Sequence, residues 1–62
     1  MSELTIKDTL RLVMLDLEEA TGELQQAKYL WEMNDLRTAK ARLERVMGFL
    51  TVINDRLATI KF

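Results

Sequence analysis

Apolar residues recur along almost the whole chain at alternating intervals of three and four, and that rhythm breaks once, at Met33-Asn34-Asp35. The first ladder is Ile6, Leu10, Val13, Leu17, Ala20, Leu24, Ala27 and Trp31; the second is Leu36, Ala39, Leu43, Val46, Leu50, Ile53, Leu57 and Ile60. Residues at this spacing fall on one stripe of an α-helix. Folding the chain at 33–35 pairs Trp31 with Leu36, Ala27 with Ala39 and Leu24 with Leu43. The pairing continues as Ala20 with Val46, Leu17 with Leu50, Val13 with Ile53, Leu10 with Leu57 and Ile6 with Ile60. Paired numbers add to 66 or 67 throughout, as an antiparallel hairpin requires. The expected fold is all-α, a two-helix hairpin with helices at about 3–33 and 35–60, in one domain spanning residues 1–62.

The break has a local cause. After Trp31 the ladder needs apolar residues at 34 or 35 and at 38, and finds Asn34, Asp35 and Thr38. Asn tolerates the left-handed conformation that ends helices, and Asp is a good N-cap. At the amino end, Ser2 or Thr5 is the expected start, with Thr5 and Asp8 spaced as a short capping box. Gly22 and Gly48 fall on outward positions, where glycine costs about 1 kcal/mol relative to alanine.

Size turns this shape into a question of partners. A chain of 62 residues lies near the lower limit for folding alone. Such a core rarely contributes more than ~3–5 kcal/mol, so small domains lean on a staple or on association. With no cysteine and no histidine, disulfides and the usual zinc sites are ruled out, which leaves association. The expected assembly is a homodimeric four-helix bundle. In it the thin Ala27–Ala39 and Ala20–Val46 layers of one hairpin would receive the large layers of the other.

The same composition removes whole classes of chemistry. Ser2 is the only serine, so no nucleophilic triad can be assembled without histidine or cysteine. The core stripe holds no polar residue, and a di-iron bundle would need inward-facing Glu-x-x-His motifs. The sequence implies no enzyme, no cofactor, no metal centre and no small-molecule substrate. Asp16, Glu19 and Glu23 form an acidic ridge whose expected role is solvation, with a hard cation or basic partner as the sharper alternative. Nine basic residues against ten acidic ones give a net charge of −1, which supplies no electrostatic case for nucleic acid. Leu10 to Leu17 is interrupted by Arg11 and Asp16 and is too short to span a bilayer, so a cytoplasmic chain is expected.

Within a heptad abcdefg, Leu10 and Leu36 are placed at a, and Ile6 and Ala39 at d. The g flank then carries Thr9, Asp16, Glu23 and Leu30 on the first helix, and Arg42, Phe49 and Arg56 on the second. Antiparallel helices oppose g to g, which predicts a Glu23–Arg42 pair. The e flank carries Lys7, Met14, Thr21 and Lys28 opposite Lys40, Met47, Asn54 and Lys61. Methionines between terminal lysines read as a joint for another chain, whose acids would meet the lysines; the alternative is lysine stems covering the methionines.

Apolar residues off the stripe point the same way. Residues 12–15 are apolar on every side of the helix, and Phe49 and Val52 lie at about their level. Such clusters mark interaction sites. The candidate oligomer or partner interface is therefore Leu12, Met14, Leu15, Met47, Phe49 and Val52. A possible basic patch of Arg37, Lys40 and Arg45 is the other candidate, although these residues surround the helix and Glu44 sits among them.

The segment Ala27-Lys-Tyr-Leu-Trp-Glu-Met-Asn34-Asp35-Leu36-Arg-Thr-Ala39-Lys-Ala-Arg-Leu43 resembles the turn of a tetratricopeptide motif. That resemblance implies shared αα-hairpin turn chemistry; position 23, where the motif prefers tryptophan, is Glu, and a single unit is present where at least three are needed. The overall architecture is similar to the Rop family of plasmid copy-number regulators, in which helical hairpins dimerise into four-helix bundles; this analogy of architecture carries no function. The favoured reading is a small non-enzymatic protein–protein interaction or regulatory module that works as a hairpin oligomer, binding itself and possibly another protein. An RNA-binding bundle regulator and a purely structural oligomerisation module are the alternatives.

Overall fold

The structure, a computed structural model, describes residues 2–62. Helix α1 spans Glu3–Glu32 and helix α2 spans Leu36–Ala58, packed antiparallel over their length. The hairpin is a rod with extents of 48 × 14 × 11 Å. Its radius of gyration is 14.6 Å, against about 10.6 Å for a compact domain of this length.

Ser2 is the N-cap of α1, its Oγ accepting the Thr5 backbone N–H at 3.2 Å. Thr5 is thus a member of the first turn, and the Thr5–Asp8 start is displaced by three residues. The turn is as short as the sequence required. Asn34 has φ of 63°, the one positive φ among the described non-glycine residues. The Asp35 N–H donates to the Leu30 carbonyl at 2.9 Å, and the Asn34 N–H to that of Trp31 at 3.0 Å. These two bonds make a Schellman ending and use carbonyls that α1 would otherwise leave orphaned. Asp35 then caps α2, its Oδ1 accepting from the Thr38 N–H.

The core differs from the rung-by-rung pairing in one respect. The d rows close the seam: Val13, Ala20 and Ala27 of α1 and Ala39 and Ile53 of α2 are buried, with Ile6, Val46 and Ile60 half-buried beside them. The a rows do not. All eight of their side chains are exposed, from 38% at Leu10 to 64% at Trp31, so the Trp31–Leu36 rung stands outside the core. Two helices in contact can cover only one sector of each other, about the width of two heptad rows. Alanine at 20, 27 and 39 lets the backbones approach there. The g residues supply the second covered row, and the bulkier leucines are left to one side.

Substitutions in the turn and on the outer face test this account. Asn34→Ala forces a residue with a Cβ penalty into the left-handed region and should cost about 1 kcal/mol; Asn34→Gly should cost nothing. No atom lies within 4 Å of a Cβ built on Gly22 or Gly48. Each glycine-to-alanine change should therefore stabilise the helix by about 1 kcal/mol. Thermal unfolding followed by circular dichroism at fixed protein concentration reads both effects, as shifts of about 4–8 °C per kcal/mol.

Candidate interaction surface

Because the hairpin closes on d and g, its two broad faces differ. With 3.6 residues per turn, the a and e rows of both helices lie on one side of the seam, and the c row lies on the other. The first face presents two parallel rows of large side chains, Leu10, Leu17, Leu24 and Trp31 beside Leu36, Leu43, Leu50 and Leu57, all exposed. Between the rows near the turn runs a groove of about 230 Å³, lined by Leu24, Ala27, Lys28, Trp31, Ala39 and Leu43. Its floor is the Ala27–Ala39 rung. That volume takes side chains rather than a single water.

The e row borders this leucine face. It carries Met14 and Met47, both exposed, and three of the four lysines of the chain, Lys7, Lys28 and Lys40; Lys61 follows the end of α2. Every helical lysine thus edges the apolar face.

The other side of the seam is held by ions. Arg42 Nη1 lies 3.2 Å from Glu23 Oε2, and Arg45 Nη2 lies 3.4 Å from Glu23 Oε1. Arg56 Nε donates to Asp16 Oδ2 at 3.0 Å. The Glu23–Arg42 pair is the one g-to-g opposition predicted. The acidic ridge is divided between two roles: Asp16 and Glu23 are part-buried bridges between the helices, and only Glu19 stands exposed. The Asp16–Arg56 bridge was readable too, since both residues belong to the facing g rows.

The six candidate interface residues separate between the two faces. Met14 and Met47 flank the leucine face. Phe49 and Val52 share a shallow depression of about 280 Å³ with Arg45 and Gly48 on the opposite face. Leu12 occupies the same heptad row as Val52, across the seam on that face, and Leu15 lies further round α1, exposed. The larger surface, the a rows, is not distinguished in the sequence because the heptad pattern assigns a and d alike to the core. Arg37, Lys40 and Arg45 occupy rows b, e and c, and do not share a face; Arg45 is also engaged by Glu23. A larger open groove of about 470 Å³ lies beside the turn, lined by Gly22, Gln25, Gln26, Tyr29, Leu30, Thr38 and Arg42.

Among the described residues, no helix is long and apolar enough to cross a membrane. No protein-family model, no curated protein and no solved structure matches this chain.

The bridges at the seam are part-exposed, which limits each to about 0.2–1 kcal/mol. A double-mutant cycle on Glu23→Gln and Arg42→Gln should give a coupling in that range at low salt. The coupling should shrink in about 1 M salt, where the Debye length falls to ~3 Å. A salt-independent value would mean that the pair is more deeply desolvated than its geometry implies.

Proposed function

We propose that this chain is a non-enzymatic protein–protein interaction module of the cytoplasm, working as a helical-hairpin oligomer. The observation that supports the reading is the leucine face: eight large apolar side chains in two continuous rows, all exposed. A surface of that extent exceeds the scattered exposure normal for a soluble monomer.

Area bookkeeping points the same way. The hairpin exposes 5070 Å². A compact monomer of 7.2 kDa exposes about 4,100 Å². The excess, about 900 Å², is close to the ~800 Å² that each partner buries in a standard interface. In this reading the leucine face carries self-association, and Leu12, Phe49 and Val52 on the opposite face remain for a different protein.

Light scattering across a wide concentration range should find a stable dimer. Trp31 is the only tryptophan and lies on the leucine face, so its emission should shift to the blue as the dimer forms. Leu24→Glu with Leu43→Glu should give monomers, whereas Leu12→Gln with Val52→Gln should leave the dimer mass unchanged. If the second pair dissociates the dimer and the first does not, association runs through the opposite face and this assignment of faces fails.

A further inference from the structure

The arrangement of large and small rungs on the leucine face specifies how a second copy would sit on it, and this inference rests on the self-association just proposed. We infer that two hairpins pack leucine face to leucine face about a two-fold axis perpendicular to the rod, with their turns at opposite ends.

The levels of the rungs along the rod decide between the arrangements. The d rungs that floor the face are thin near the turn, Ala27–Ala39 and Ala20–Val46, and thick towards the open end, Val13–Ile53 and Ile6–Ile60. The a rungs are large throughout. A two-fold axis at the middle of the rod carries residue 31 onto the level of residue 6 in α1, 27 onto 10, 24 onto 13 and 20 onto 17. In α2 it carries 36 onto 60, 39 onto 57, 43 onto 53 and 46 onto 50. Every d rung then meets an a rung of the second copy. Ala27 and Ala39 receive Leu10 and Leu57, entering at the groove of about 230 Å³. Ala20 and Val46 receive Leu17 and Leu50. Val13 and Ile53 receive Leu24 and Leu43, and Ile6 and Ile60 receive Trp31 and Leu36. No layer is empty, and both thin rungs meet a pair of leucines, as close packing demands.

Placing both turns at one end has the opposite effect. Ala27 would then face Ala39 of the second copy across a void, and Leu24 would meet its Leu43. Charge separates the two arrangements as well. Turns together bring Lys28 to Lys40 of the second copy with no acid on the e rows beside them, a meeting that occurs twice by symmetry. Turns apart set Lys7 against Lys28, likewise twice, but with Glu32 of the second copy within a turn of each Lys7. They also place Met47 beside Met47 of the second copy on the α2 edge.

The size of the face fits a dimer of this kind. Extents of 48 × 14 Å give a footprint of about 670 Å², before the relief of the side chains is counted, close to the ~800 Å² per partner of a stable interface.

The chain has no cysteine, so single thiols can be placed at will. A spin label on Arg37→Cys should report an inter-copy distance of about 35 Å, because 22 residues of helix at 1.5 Å separate the two levels. With turns at one end the labels would lie within about 25 Å, since packed helix axes are only 8–10 Å apart. Met47→Cys should close a disulfide between copies under mild oxidation while the circular dichroism spectrum stays helical. A dimer with the short distance and no disulfide overturns the geometry alone and leaves the self-association standing. A monomer, or any mass other than a dimer, up to millimolar concentration overturns both, and directs the leucine face to a different chain.

Discussion

Close approach of two backbones at alanine is the constraint on which the rest of this molecule depends. Ala20, Ala27 and Ala39 let α1 and α2 sit near enough for their g residues to reach across the seam, and Ala27, at 3% exposure, is the most buried of the core residues. The same approach turns the larger a residues out of the contact. One choice of residue size thus fixes the buried seam, the ionic side and the apolar side together. Larger residues at those positions would push the helices apart and return the leucines to a shared seam.

The turn transmits this choice without slack. Asn34 in the left-handed region and the two hydrogen bonds to Leu30 and Trp31 allow no free loop between the helices. A hairpin closed by three residues is held in one register, so the rungs of α1 and α2 remain level. The levels matter because both rows of the leucine face must present large and small rungs at matched heights. Entropy favours the arrangement too, since so short a connection leaves little chain to order on closure.

Much of the fold was legible from spacing alone. The helix boundaries, the turn at Asn34–Asp35 and the Glu23–Arg42 bridge follow from heptad phase and capping chemistry, both of which are local. The start at Ser2 was one of two readings, since Ser2 and Thr5 both cap well. What spacing did not convey is how far each helix rotates about its own axis. A heptad stripe is equally compatible with a seam centred between a and d or shifted towards g. Side-chain volume resolves the rotation: one row is rich in alanine and the other wholly large. That asymmetry was present in the sequence but is a property of rows compared with one another. For the same reason Leu12, Phe49 and Val52 were grouped with Met14 and Met47, which are close in sequence and separated by the rotation.

The distribution of lysines has a practical consequence. Of the four lysines, Lys7, Lys28 and Lys40 stand on the e flanks beside the leucine face, and Lys61 follows the end of α2. The arginines occupy the seam and the remaining rows. The helical lysine amines therefore line the two edges of one face. Acylation of lysine amines would strip positive charge from those edges while the arginine bridges across the seam keep theirs. The molecule thus carries two chemically separable sets of cations, one that ties the hairpin together and one that frames its open side.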